Sequence, residues 1–286
     1  MKIPKHTTIT QDKYSEYTDD TIHTNKFYPR VTQLKNLIKY FWVFECRNIN
    51  LCHKILPVNN IDIIINFLSP MIFEKNGISS EIPSNIFFRG LTKEYTTLKQ
   101  HGAASAIGVS FFPAGFYPFF KIPVSEFKNG TFGLDIILRS RVHEIEEKLI
   151  DTATISEKID LLENFFLELL DPNARLSVDS YKQLHFYYSS NLSIHDFCLR
   201  NSINPRTFER FFNKYIGTPP KSFYRLSRFQ SILNKLINRK EVNLATLAHE
   251  FDFFDQSHFI KDFESFTGCP PSIFMKENQA IKQILV

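Results

Sequence analysis

Two domains of unlike construction are predicted, a β-barrel with trailing helices ahead of an all-α domain, so the chain as a whole is α+β. Three observations carry this. From about residue 38 to residue 112, aromatic and β-branched runs alternate with turn signals. From Gly133 onward, apolar residues recur at helical spacing. Between Asn191 and Pro271, one supersecondary unit occurs twice.

The chain has 286 residues, enough for two separate cores. At 43% hydrophobic and 22% charged, it lies outside the composition of disordered chains. Residues 1–24 are polar and read as an extension. They lack the apolar run of a signal peptide. No stretch of about 20 apolar residues suits a membrane span. The four cysteines, Cys46, Cys52, Cys198 and Cys269, form no C-x-x-C pair and no dense framework, which suits a reducing cytoplasm.

Tyr40 to Phe44 reads as a strand, as does the apolar run Ile61 to Leu68 after a turn at Pro57 and Asn59-Asn60. Asn76-Gly77 signals a hairpin. Ile86 to Gly90 and Ala104 to Phe112 complete the set, and Pro113 ends it. Asp62 and Asn66 share one strand face. They either point into a ligand cavity or belong to a polar exterior and a turn-stabilising hydrogen bond. Phe111 to Phe120 holds six aromatics. Phe111 and Phe116 either line an apolar ligand site or form the seam between barrel and helices. His53 and His101 stand apart, with no H-x-H pair, so no metal site or cofactor is expected.

Ile136 to Ile150 and a second segment capped by Ser156 read as amphipathic helices within a helical linker, residues 136–173. Their apolar faces either form a dimer seam or pack on the barrel. Asp171-Pro172-Asn173 marks the boundary to the last domain, residues 174–286. There, Val178 to Ser190 reads as the first helix.

The repeat follows. In the first copy Ser193 caps a helix with Ile194, Phe197 and Cys198 on one face, and Asn201-Ser202 breaks it. Asn204 caps the next helix, with Pro205 at its first position. Phe208, Phe211, Phe212 and Tyr215 give that helix a buried face, and Gly217 ends it. Its other face carries Arg206, Thr207, Glu209, Arg210, Asn213 and Lys214. In the second copy Leu247-Ala248 matches Phe197-Cys198, and Phe253 matches Ile203. Phe259, Phe263 and Gly268 then match Phe208, Phe212 and Gly217. Each copy closes on Pro-Pro. This is a pair of helix-turn-helix units joined by one helix running from Pro219-Pro220 to about Ile237.

The stretch Leu247 to Pro271, LAHEFDFFDQSHFIKDFESFTGCPP, and residues 178–280 as a whole resemble the C-terminal DNA-binding domain of the AraC/XylS family of transcription regulators. The resemblance implies base-facing roles for Arg206, Glu209 and Arg210, with Thr207 on the same face, and for Gln256, Ser257 and Lys261. The family's turn glycines are replaced by Ser202 and Asp252. Residues 25–135 resemble, more loosely, the cupin-like sensor or dimerisation domain found ahead of such domains.

Arginines 206 and 210 suit guanine and Gln256 suits adenine. Lys214, Lys221, Arg225, Arg228 and His258 are assigned to phosphates, which position the protein on the duplex. Residues 200–240 hold ten basic residues and one acid, whereas residues 241–286 hold three basic residues and seven acids. The first unit and the connecting helix are thus expected to supply most phosphate affinity. The function expected is a sequence-specific DNA-binding regulator, not an enzyme. Double-stranded DNA is the partner, with RNA polymerase, a small-molecule effector and a homodimer as further partners and no membrane. Two alternatives stand beside it: a DNA-targeted cysteine methyl acceptor using Cys46 or Cys52-His53, and an anti-regulator that does not bind DNA.

Overall fold

The structure, a computed structural model, describes residues 23–75, 77–82, 84–171, 194–238 and 243–277. The expected helix Val178 to Ser190, the Ser193 cap and the boundary near residue 173 lie outside these residues.

One bent antiparallel sheet makes the N-terminal domain. Its strands are β1 (His23–Phe27), β2 (Ile38–Ile55), β3 (Asp62–Asn66), β4 (Ile72–Lys75), β5 (Ile78–Glu81), β6 (Ile86–Arg89), β7 (Thr96–Phe111) and β8 (Thr131–Gly133). The long strands β2 and β7 pair from Ile38↔Phe111 to Ile55↔Thr96, with a register shift between Cys46 and Ile49. The order is β1-β2-β7-β3-β6-β8, and β4 pairs with the other half of β7. Gly77 takes φ +76° in the β4–β5 hairpin, the left-handed conformation that glycine adopts without steric cost.

Side-chain alternation gives the sheet two apolar faces. Phe73, Phe87 and Ala106 share one with Trp42 and Ile64. Phe73 of β4 meets Phe87 of β6 at 6.1 Å between ring centroids, although no ladder joins these strands. The sheet therefore curls on itself, as a barrel requires. The other face, with Phe41, Val43, Ile63, Ile65, Phe88 and Val109, is covered by helices.

Those helices are α1 (Tyr117–Phe120), α2 (Asp135–Leu138), α3 (Ser140–Asp151) and α4 (Ile155–Leu169). The single helix expected over residues 136–150 is broken at Arg139, whose φ is +52°. The cap expected at Ser156 is instead Thr154. Its hydroxyl accepts the Glu157 N–H, and the Glu157 carboxylate accepts the Thr154 N–H. Thr and Glu three apart satisfy two orphan donors at once, which Ser156 with Ile159 at that spacing has no side chain to do. Val142, Ile145, Leu149, Leu162 and Phe166 are buried against the barrel. The buried Glu163 accepts the Arg30 N–H at 2.6 Å. The apolar faces of the linker helices thus pack on the sheet.

The C-terminal helices are Ile194–Arg200 and Pro205–Phe211, a π turn Phe212–Ile216, the connecting helix Pro220–Asn238, then Leu244–Glu250, Gln256–Thr267 and Pro271–Glu277. The first unit shares the core of the N-terminal domain through Phe197, Phe208, Phe212, Ile216 and Phe223. The second unit has its own core, built with Leu226, Phe229, Phe259 and Phe263, and Leu56 of the N-terminal domain enters it. Asn59 donates to the Ser227 hydroxyl at 3.1 Å, and Lys54 donates to the Thr267 carbonyl at 3.4 Å. Gly217 and Gly268 end the two recognition helices at φ +90° and +73°. Both back onto the N-terminal domain. A Cβ on Gly217 would stand 2.6 Å from Val124, and one on Gly268 would stand 2.3 Å from the Tyr95 ring.

Candidate nucleic-acid interface

The two units turn by the same bonds. Ile203 N–H donates to the Cys198 carbonyl at 2.9 Å, and Phe253 N–H to that of Ala248 at 3.0 Å. Asn201 N–H donates to Phe197 and Phe251 N–H to Leu247, each at 3.1 Å. Ser202 and Asp252 occupy the matching left-handed positions at φ +53° and +56°. The turns therefore keep one geometry without glycine, at a cost of about 1–2 kcal/mol per residue for a side chain in this region, least for Asp. Each recognition helix is then capped by a side-chain oxygen. Asn204 Oδ1 accepts the Arg206 N–H at 2.9 Å, and Asp255 Oδ1 accepts the His258 N–H at 2.7 Å.

Phe208, Phe212, Phe259 and Phe263 fix the buried sides of these helices. That leaves Arg206, Thr207, Glu209 and Arg210 exposed on the first, and Gln256, Ser257 and Lys261 exposed on the second. All seven side chains expected to face bases are thus presented to solvent on the recognition helices.

The cations assigned to phosphates divide differently. Lys221 is exposed at the start of the connecting helix. Arg225 donates to the Asp262 carboxylate and to the Ser265 hydroxyl, both at 2.5 Å. Arg228 reaches Asp262 at 3.5 Å, is only 14% exposed, and lies 3.8 Å from the Phe253 ring centroid. The buried Asp262 therefore uses both guanidiniums to bolt the connecting helix to the second recognition helix. Lys214 sits over the Tyr117 and Tyr215 rings at 5.0 and 5.1 Å. A hydrogen bond to Tyr117 holds its ammonium above the usual lysine range. Lys235 pairs with Glu250. Only the backbone N–H of His258 is engaged by the cap, and its ring lies 5.3 Å from Phe253. Arg225, Arg228 and Lys214 thus each have a partner within the protein, with Arg225 and Lys214 still exposed to solvent. The sequence shows cations on a helix but not the acid or the rings that meet them.

The ligand residues considered in the N-terminal domain are not brought together as a site. Asp62 is half-buried, accepting from Ser110 at 2.7 Å, Asn60 at 2.6 Å and Trp42 at 3.3 Å, and desolvation pushes its carboxyl up from the usual range. Asn66 donates to the Ser69 carbonyl at 3.0 Å, a turn-stabilising bond. Phe111 and Phe116 are core rings 5.6 Å apart, with Phe166 of α4 5.6 Å from Phe111. They form the seam between barrel and helices. Open space lies elsewhere, in a groove of about 660 Å³ lined by Lys26, Tyr28, Lys35, Lys39, Tyr40 and Phe112. Burial and the neighbouring Lys39 lower the Lys26 pKa. These lysines carry no sequence motif, which is why the sequence did not single them out. Cys46 is buried and donates to the Asn48 carbonyl at 3.3 Å, and Cys52 is half-buried on β2 opposite Lys99. Among the described residues, no group of three His, Cys, Asp or Glu could hold a metal. None of their helices is long and apolar enough to cross a membrane.

Residues 197–277 match the family model described as a helix-turn-helix domain, and residues 26–132 match a domain of unknown function (DUF6597). No curated protein matches the chain. Among solved structures the chain is similar to ToxT from Vibrio cholerae O395, at 11% identity and TM-score 0.43, over 90% of this chain and 97% of that one. It is similar to the DNA-binding domain of AdpA, solved with a target DNA, at 17% identity and TM-score 0.30, over 36% and 90%. A third likeness is to the AraC-like activator CuxR, at 14% identity and TM-score 0.29, over 73% and 86%.

Proposed function

We propose, from the premise that residues 197–277 belong to the AraC type of helix-turn-helix domain, that this chain is a sequence-specific transcription regulator whose two units read successive major-groove segments. The observation that carries the reading is the pair of matched turns, each followed by a capped helix with a polar solvent-facing side. The N-terminal residues of a recognition helix are those that meet base edges. Arg206 and Arg210 donate to guanine, and Gln256 pairs with adenine. Arg200 and Lys221 are exposed on the first unit and the start of the connecting helix, and they contribute phosphate affinity there.

The N-terminal domain modulates this binding. Its contacts at Gly217 and Gly268 support that role, because both recognition helices end against it. We assign its signal to the groove at Lys26, Lys35 and Lys39, and its chemistry to an anion with an apolar body, by charge and by the Tyr28, Tyr40 and Phe112 walls. Carboxylates and phosphates that raise the thermal midpoint of the full chain, but not of Lys26→Ala/Lys39→Ala, would support this assignment; equal shifts in both would remove it.

Selection of bound duplexes by the full chain from a random-sequence pool, followed by fluorescence anisotropy over a salt series, tests the main reading. One recovered sequence that resists random competitor DNA and weakens with salt is the expected result. An unenriched pool would refute it.

A further inference from the structure

The two units match with one discrepancy. From Phe197 to Ile203 the second copy lies 50 positions on, and from Phe208 to Gly217 it lies 51 positions on. The extra residue is fixed by the caps. Asn204 follows Ile203 directly as the cap of the first recognition helix, whereas Phe254 stands between Phe253 and the cap Asp255. The second turn therefore carries one added side chain, and it is a phenylalanine.

That side chain is 93% exposed, more than any other large apolar side chain among the described residues. Its backbone is held on both sides. Phe253 is buried beneath the Arg228 guanidinium and donates its N–H to Ala248, while Asp255 is locked by the His258 N–H. A large apolar ring held in water costs solubility and does nothing for this fold. It stands at the entry to the recognition helix, beside Gln256 and Ser257, where a helix-turn-helix meets base edges. The surrounding unit is poor in cations: Arg225 and Arg228 are engaged by Asp262, and Asp252 and Asp255 flank the ring. Such a unit is ill suited to attract phosphates. Lys261 is the one Lys or Arg on its recognition helix, so the unit gains contact largely through neutral groups. In the major groove the neutral apolar mark is the 5-methyl group of thymine, and phenylalanine is among the side chains that pack on it.

We propose that Phe254 is a specificity-determining residue that reads a thymine by packing on its 5-methyl group. This deepens the regulator reading and rests on it. The test uses the full chain and the duplex recovered by selection. Deoxyuridine replaces thymidine one position at a time, which removes the methyl and nothing else. At one thymine in the segment covered by the second unit, the wild-type chain should lose roughly fourfold in affinity, the value of one buried methyl-sized group. Phe254→Ala should lose a similar factor on the thymidine duplex and be indifferent to deoxyuridine at that position, the non-additivity of groups in contact. An unchanged thermal midpoint is expected for Phe254→Ala, since the ring makes no core contact. A wild-type chain that selects a duplex, while Phe254→Ala binds it equally well and keeps the same deoxyuridine profile, would overturn the contact alone and leave the ring to a protein partner. A wild-type chain that selects no duplex would bring down the regulator reading and this contact with it.

Discussion

The two helix-turn-helix units share a backbone and differ in what they do with charge. Both turn on a non-glycine residue at positive φ, both cap their second helix through a side-chain oxygen, and both end on a left-handed glycine. In the first unit Arg206 and Arg210 point to solvent. In the second, the nearby cations Arg225, Arg228 and Lys235 are paired with Asp262 and Glu250, and Arg228 is drawn inward. One scaffold thus supports two economies of charge. The difference arises because the connecting helix packs its arginines against a buried carboxylate on one side only.

Asp262→Ala is the harshest way to probe that difference. It leaves the largely buried Arg228 guanidinium, with the half-exposed Arg225, facing a vacated site, and we expect a loss of about 3 kcal/mol in urea unfolding. A loss under about 1 kcal/mol would mean the Asp262 cluster does not hold the second unit in place. Next come the readers themselves. Arg206→Ala and Arg210→Ala should each weaken binding to the selected duplex by about 10-fold to 100-fold, the range of one lost bidentate base contact. Gln256→Ala and Lys261→Ala should each cost clearly less, and equal losses from the two units would break the comparison. Ser202→Gly should raise stability by about 1 kcal/mol, because it removes a side chain from the left-handed region. Asp252→Gly should gain less, since Asp tolerates that region better; thermal midpoints of the two variants decide the order. The smallest effect is on salt dependence. Lys221→Ala should flatten the slope of log affinity against log salt by about 1. Lys214→Ala, already held over two tyrosine rings, should leave that slope unchanged.

Much of this architecture was legible in residues close together in the chain. The repeat, its caps at Asn204 and its stops at Gly217 and Gly268 rest on local propensity, and the structure has them where the spacing put them. The Gly77 hairpin turn is likewise local, whereas the short strands it joins, Ile72–Lys75 and Ile78–Glu81, carry no run that marks them in the sequence. What the sequence hid depends on long-range packing. Arg225 reads as a solvated cation until the fold brings it to Asp262, 37 residues away. Lys214 reads the same way until Tyr117 arrives from the other domain. The break at Arg139 and the Thr154 cap were missed for a different reason. A continuous apolar pattern conceals a positive φ, and two plausible cap residues stood two positions apart. Phe254 lay in plain view as a one-residue change in register, but its significance appears only with its exposure.

The contacts at Gly217 and Gly268 bear on how such a protein changes over time. Each glycine admits a particular neighbour from the first domain, Val124 for one and Tyr95 for the other, while Leu56 fills a gap in the core of the second unit. A reader built this way is not a cassette. Grafting it behind a different front half would leave two hollows unfilled and a leucine-sized gap in a core. The two halves are therefore bound to drift together, with any substitution at Val124 or Tyr95 setting the terms for the glycine it faces.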